Sequence, residues 1–318
     1  HKSNNPNVEG VHDPSGFVYE GLESNRLQGV TATCYYKELV MDMYGDTHEN
    51  VVVWNAEDYQ QINPQITDKD GMYRWDVPEG QWQVKFEKEG YQTTYTDWLP
   101  VPPPQMEINV GLVQNVNPFV KSAKAYEDAV EIEFSKYMKP GTMTPDNIYL
   151  KFVSSGEEEL LKDLEIELLN KESVSDDDAT EYVSKVALKT TRDLGEADEV
   201  YVIVSRAVES YAGIAMAEDY SQKLDVEKKV REIVVNNVTD NKLNIASDES
   251  QTIKVGVLPA EASKGKILVV HSTSSQIMSV AADDAAATRA VVGENGELEL
   301  TLDENGEAEF VVSAELLG

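Results

Sequence analysis

Between Ile66 and Pro104 the chain reads ITDKDGMYRWDVPEGQWQVKFEKEGYQTTYTDWLPVPPP, and its period of two leaves few folds open. Met72, Arg74 and Asp76 fall on one face of an extended segment, with Tyr73, Trp75 and Val77 on the other, as in a half-buried strand. Gln81 to Lys88 repeats the pattern with Trp82, Val84 and Phe86 inward. Asp68-Lys69-Asp70-Gly71 ahead of the first run predicts a tight turn, because Gly71 takes φ > 0 without steric cost. Pro78-Glu79-Gly80 predicts a second turn, and Gly90-Tyr91 closes the unit. The expectation is a hairpin whose apolar faces meet a second sheet.

The same strand grammar runs along the chain. Gly16 to Glu20 alternates, a turn is expected at Glu23–Arg26, and Leu27 to Tyr36 is strand-like. Met41 to Asn50 reads as an acidic loop. Val51–Trp54 is a short apolar strand, and Asn55 is placed to cap a helical turn over Ala56–Gln61, stopped by Asn63-Pro64. Trp98 to Pro104 must be extended, since proline is excluded from central strands, and Met106 to Leu112 reads as a closing strand. Ala129–Ser135, Leu160–Asn170 and Tyr182–Leu188 alternate further on, with Ser175–Ala179 as an acidic tip. Beyond Val230, short apolar runs at 231–235, 252–257, 267–272 and 297–302 are strands, and Pro259–Gly265 is a loop. Asn295-Gly296 and Asn305-Gly306 are hairpin signals.

A chain of 318 residues suits two or three such domains, and 41% apolar residues suffice for a core in each. Lys and Arg number 27 against 58 Asp and Glu, a net charge of −31. That balance argues against nucleic acid, whose phosphates need a basic footprint. No apolar run approaches the ~20 residues of a membrane helix, so no membrane insertion is expected. Cys34 is the single cysteine, so no intrachain disulfide can form, and it reads as a small buried apolar side chain. The polar start, residues 1–10, reads as a linker, and the chain as a monomeric piece of a longer polypeptide.

Three resemblances emerge from these strings. Gly16-x-Val18, Gly29-Val30-Thr31-Ala32-Thr33, the run from Thr67-Asp68-x-Asp70-Gly71 to Trp82-x-Val84, and Glu89-Gly90-Tyr91 together resemble a carboxypeptidase regulatory-like domain. That resemblance implies a prealbumin-like β-sandwich over about 10–114. The segment 37–65 departs from its pattern. EIEFSKYMKP, TMTPDNIYL and VYVIVSRAVESYAGIAM resemble a bacterial Ig-like domain over about 116–227. Asn305 to Ala314, then Gly318, resembles the late strands of an invasin-type Ig-like module, which implies a further strand beyond that glycine. Pilin and collagen-adhesin B-type modules, a related family, hold such a sandwich with a lysine–asparagine isopeptide bond assisted by a buried acid. Glu87 and Asn109 suit the acid and last-strand positions, but Gly16–Glu20 holds no lysine, so that bond is not expected.

No catalytic pattern appears. His1, His12, His48 and His271 are scattered, and there is no His-Glu-x-x-His, no Gly-x-Ser-x-Gly and no phosphate-cradling glycine loop. Asp42, Asp46, His48 and Glu49 share one loop and form the candidate metal set. Asp176–Asp178 and Asp283-Asp284 are weaker oxygen clusters. No cofactor is expected; such loops would suit a divalent cation, with calcium the candidate. All four tryptophans lie in the first domain. Trp75 and Trp82 read as core, while Trp54 and Trp98 flank loops and are the candidate glycan-stacking rings.

The expectation is an all-β chain of three tandem Ig-like or prealbumin-like β-sandwich domains, at 1–114, 115–228 and 229–318. Its expected role is a non-catalytic stalk or adhesion module of a bacterial surface or secreted protein. A carbohydrate-binding module acting through exposed aromatics is the rival. A glycan or another surface protein is the expected partner.

Overall fold

The computed structural model describes residues 13–230, 232–236, 238–240, 242–272, 278–282, 290–292 and 297–314. The linker at 1–10, His1, His12, Asp283-Asp284, the Asn295-Gly296 turn and Gly318 lie outside them. The fold is all-β, as the alternation requires. The chain divides into two compact units. One holds the described residues up to Ala123 with Val130–Thr191 and Asp198–Leu224. The other holds Lys124–Ala129, Arg192–Ala197 and the described residues from Asp225 onward. Among the described residues no helix is long and apolar enough to cross a membrane.

The first unit opens with a β-sandwich. One sheet runs Thr47–Val53, Thr31–Met41, Gly80–Glu87, Thr94–Tyr95, with Gln65–Ile66 and Leu99–Val101 as short additions. The other joins Val110–Leu112, Ser15–Glu20 and Leu22–Arg26, with Met72–Arg74 beside the start of Ser15–Glu20. Between them lie Val18, Val30, Ala32, Cys34, Tyr73, Trp75, Trp82, Val84, Phe86 and Leu112. Trp75 and Trp82 are each 1% exposed, as their inward phase dictates. Burial pushes the Cys34 thiol well above its ordinary value, so it is an inert packing group.

The Asp68–Gly71 turn forms as expected. Asp68 Oδ1 accepts from the N–H groups of Asp70 and Met72 at 2.9 and 3.1 Å, and Gly71 has φ +71°. A Cβ at Gly71 would also stand 2.5 Å from the Val18 carbonyl oxygen. The expected hairpin does not form. Met72–Arg74 pairs with Ser15–Phe17, whereas Gly80–Glu87 pairs with Thr31–Tyr36 in the opposite sheet. The two strands meet through side chains, Tyr73 edge-on to Phe86 with centroids 5.1 Å apart. The reason is that the remaining edge of the first strand is already taken. Gln65 and Gln61 carboxamides bond the main chain of Arg74 and Asp76 there.

Residues 41–50 also differ from expectation. The segment is a β-hairpin, with Met41 opposite Thr47 and Tyr35 opposite Val53. Asp42 makes this turn self-sufficient: Oδ1 accepts from the N–H groups of Tyr44 and Asp46, both at 2.9 Å, and Gly45 adopts φ +84°. The following turn, Ala56–Tyr59, is a 3-10 helix. Asn55 does not cap it through the backbone; its Nδ2 donates to Asp58 Oδ2 at 3.1 Å.

The same unit contains a second pair of sheets. One orders Glu165–Leu168, Glu181–Lys189, Ala129–Met138 and Val120–Tyr126; the other orders Glu157–Leu161, Ile148–Ser154, Glu199–Val204 and Tyr220–Leu224. Val130, Ile132, Phe134, Met138, Leu150, Val186, Leu188 and Val202 fill the space between. The leucine-rich run 160–170 is strand, as its alternation predicts, but it is split between the two sheets. Ser175–Ala179 is the expected tip, closed by Ser175 Oγ accepting from Asp178 N–H at 3.0 Å.

In the second unit, one sheet orders Glu232–Val235, Ser250–Leu258, Glu307–Ala314 and Met278–Ala282. The other orders Ile267–Val270, Leu298–Thr301 and Ala290–Val292. Ile253, Val255, Leu298, Leu300, Phe310 and Val312 form its core. Val226–Glu227 lies parallel to Ala125–Tyr126. Two expectations are corrected here. Ala260–Ser263 is one α-helical turn, held by Ser263 Oγ donating to the Val257 carbonyl at 2.6 Å. Asn305-Gly306 is a tight turn but joins strands of different sheets, because Gly306 tucks against Ser263 and Val257.

Candidate functional site

The candidate metal residues do not converge. Asp42 and His48 meet, with His48 Nε2 2.7 Å from Asp42 Oδ2. Asp46 contributes its main chain, accepting from Asp42 N–H at 2.8 Å. Glu49 follows His48 in a strand and so projects from the other face, where it pairs with Lys37 at 3.3 Å. The His48 contact, then the Asp46 N–H, hold the Asp42 carboxyl below its ordinary value. Among the described residues no three His, Cys, Asp or Glu side chains are grouped to hold a metal ion.

The two candidate glycan rings part company. Trp54 is 7% exposed and packs edge-on to Trp82 at 5.2 Å and against Tyr59 at 5.3 Å. Its position beside a loop misleads, because the 3-10 turn folds Tyr59 back over it. The expectation of an exposed ring at Trp54 is therefore not met. Trp98 is half-buried, with Lys37 Nζ 4.3 Å from its centroid. Of the isopeptide positions, Asn109 Oδ1 accepts from Phe17 N–H at 3.0 Å, and Glu87 pairs with Lys85 at 3.0 Å.

Among the described residues lies a densely hydrogen-bonded polar cluster that motif reading did not find. It lies where the two sandwiches of the first unit meet, around Glu20. The inward phase of Ser15–Glu20 buries Gly16, Val18 and then Glu20. Ala129–Met138 does the same with Ile132, Phe134 and Met138, and Lys136 shares their parity. A charge in core phase on each strand was the available signal, an acid on one and a base on the other.

Glu20 and Lys136 meet. Lys136 Nζ donates to Glu20 Oε1 at 3.1 Å and Oε2 at 2.9 Å, with side-chain exposures of 16% and 7%. Tyr91 OH donates to Oε1 at 3.0 Å, and Tyr211 OH donates to Oε2 at 2.5 Å. Lys136 Nζ also donates to Gln114 Oε1. The Gln114 N–H in turn donates to Tyr211 OH at 3.0 Å. Burial first, and the Glu20 charge after it, raise both phenols above their ordinary range, so they stay protonated donors. Every oxygen of the buried carboxylate is thus satisfied, which a charge in that position requires.

A second seam borders the first. Glu23 N–H donates to the Val174 carbonyl at 2.9 Å. Tyr211 packs edge-on to Tyr182, centroids 6.2 Å apart, and its ring lies where a Cβ on Gly21 would come within 3.4 Å. The arrangement fixes one sandwich on the other through buried, directional bonds.

No family model and no curated protein matches the chain. Among solved structures it is similar to domains 1–6 of the surface layer protein SbsC, at 11% identity and TM-score 0.28, covering 64% of this chain and 24% of that one. It is similar to Escherichia coli alpha-2-macroglobulin at 11% identity and TM-score 0.20, covering 99% and 29%. It is also similar to the Corynebacterium diphtheriae major pilin SpaA at 10% identity and TM-score 0.20, covering 96% and 84%. The chain thus spans about a quarter of the surface-layer structure and under a third of the macroglobulin. Likenesses this distant carry no argument about function.

Proposed function

We infer that the chain is a non-catalytic stalk or spacer of a larger, extracellular bacterial surface protein. It sets a partner-binding or catalytic module at a distance. The observation that carries this reading is the Glu20–Lys136 junction. A spacer is useful only if its segments hold a set orientation, and a satisfied buried ion pair with two phenol donors is a directional lock. The net charge of −31 and the lone buried cysteine agree with an exposed, soluble element. The division into a carboxypeptidase regulatory-like domain at 1–114 and Ig-like domains at 115–228 and 229–318 belongs to this proposal, as does a monomer within a longer chain. A glycan or a second surface protein would then be engaged by neighbouring modules. Of the two candidate rings for direct glycan binding by the first sandwich, Trp98 remains, since Trp54 is buried.

The test is spin-label distance measurement between cysteines introduced at exposed Lys69 and Glu157, Cys34 being buried and unreactive. A narrow distribution is expected in the otherwise native chain and a broad one in Glu20→Ala. A broad distribution in the native chain would overturn the stalk reading.

A further inference from the structure

The ribbon formed by Thr31–Met41 and Thr47–Val53 has no task in the stalk reading. Much of it falls in the segment 37–65, which departs from the carboxypeptidase regulatory-like pattern. From Leu39 to Val51 every residue but Asp42 is exposed, so neither face of the ribbon is covered there. Leu39, Met41, Met43 and Tyr44 are 71 to 87% exposed. A two-stranded ribbon draws little stability from itself, and large apolar side chains gathered on one exposed stretch mark a contact surface.

Thr47–Val53 is also an edge: among the described residues it pairs with Thr31–Met41 alone. Prolines, lysines and bulges are the usual means of blunting an edge. This strand has no proline and no lysine. Its register runs unbroken from Val53 opposite Tyr35 to Thr47 opposite Met41. Its two ionisable side chains are paired within the ribbon, Glu49 with Lys37 and His48 with Asp42. The far edge of the same sheet is guarded, since Thr94–Tyr95 is only two residues long and Leu99–Val101 contains Pro100. On the outward face of the open edge, Val51 and Val53 are 49% and 53% exposed. They share that face with Leu39 and with Lys37, whose Nζ lies 4.3 Å from the Trp98 centroid.

We propose that Thr47–Val53 takes up an extended segment of another protein as an added strand, one whose apolar residues alternate with lysine or arginine. Main-chain bonds along the open edge supply the affinity, and side chains at alternate positions supply the choice. Apolar residues of the incoming strand fall on the face of Val51 and Val53 and lengthen the row that leads to Trp98. Its basic residues fall on the opposite face, which carries Glu38 and Asn50. Charge complementarity selects them. Between residues 37 and 53, Lys37 stands against Glu38, Asp42, Asp46 and Glu49, so one base against four acids leaves −3, on a chain of −31. The same charge decides against a second copy of this chain, because two such edges laid together would set acid beside acid.

This inference goes beyond the stalk reading, and the two fail separately, because the spin-label distances do not involve the ribbon. The probe is a synthetic peptide of alternating valine and lysine, as long as the strand, titrated into the 318-residue chain. Hydrogen exchange at the Thr47–Val53 amides should slow as it binds. A serine–lysine peptide of equal charge should bind about tenfold more weakly, as should the valine–lysine peptide to a chain carrying Val51→Thr and Val53→Thr. Both substitutions are at exposed positions and keep a β-branched side chain, so the ribbon is retained. Exchange at those amides that the valine–lysine peptide leaves unchanged would overturn the proposal. So would equal affinity for the serine–lysine peptide, which would reduce the attraction to charge alone. Slowing of the same amides with rising protein concentration and no peptide would make a second copy the occupant, and would overturn it too.

Discussion

Gln61 grips the main chain of Asp76 in both directions, its Nε2 donating to the carbonyl at 2.7 Å and its Oε1 accepting from the N–H at 2.8 Å. Gln65 does the same two residues away at Arg74. Two side-chain amides thus stand where a neighbouring strand would, covering an edge that could otherwise recruit a foreign chain. Replacing both by alanine removes four hydrogen bonds and should cost about 2–6 kcal/mol, at about 0.5–1.5 kcal/mol per bond. It should also raise the tendency to associate. Chemical denaturation with sedimentation measures both; an unchanged midpoint in a monomeric double variant would contradict this role.

Trp82 lies at the centre of the first core, in contact with Tyr36 and Trp54 and donating from Nε1 to the Pro78 carbonyl at 3.0 Å. Trp82→Ala should lower stability by about 3–5 kcal/mol, as large-to-small changes in a packed core do. Trp82→Phe, keeping most of the volume but losing the donor, should cost clearly less. Urea unfolding followed by far-UV circular dichroism would compare the two.

Tryptophan exposure predicts a spectroscopic result. Trp75 and Trp82 are fully buried, Trp54 nearly so, and Trp98 is half-buried. Acrylamide should therefore quench one minor component of the native emission, and Trp98→Phe should remove it. Quenching that persists at full strength in Trp98→Phe would mean that another ring is open to solvent.

The Asp42 hairpin tip should respond to acid. The contact with His48, then the Asp46 N–H, depress the Asp42 carboxyl below its ordinary value of 3.8. A depressed acid stabilises the folded form above the unfolded value and loses that contribution as pH falls through the folded one. The order of the tip should therefore survive to below pH 3.8 and fail beneath the depressed value. Carboxylate-detected NMR should show Asp42 titrating low in the native chain and closer to 3.8 in His48→Ala. Identical titrations in the two would refute the assignment.

At the junction, Tyr211→Phe removes one donor to Glu20 and the acceptor for the Gln114 N–H. It should cost about 1–3 kcal/mol, the range for leaving buried polar partners unsatisfied. Tyr220→Phe, whose hydroxyl meets exposed Gln222, should be near neutral by the same thermal unfolding measurement.

Alternation made the strands and the core legible in advance. Tyr73, Trp75, Trp82, Val84 and Phe86 are all inward, as their parity demands. Pairing was not legible, because period two says which way a side chain points and not which strand lies alongside. Met72–Arg74 and Gly80–Glu87 are close in sequence yet belong to opposite sheets, and the glutamines that block their pairing lie outside both runs. The hairpin at 31–53 was hidden by the acidic look of its turn, although Asp42 is the residue that builds it. The junction was harder still. Glu20, Tyr91, Gln114, Lys136 and Tyr211 are spread over much of the chain, and only the core-phase charges at Glu20 and Lys136 marked it.

Ser15–Glu20 and Val110–Leu112 open and close the first sandwich, and they lie side by side and parallel, Val18 against Val110 and Glu20 against Leu112. Tension applied at the two ends of that sandwich would drag these strands past each other along their length. All their cross-links would then be loaded together in shear, whereas an antiparallel closing pair would peel open one bond at a time. The direction in which two short strands run thus sets how much pull the module withstands before it extends.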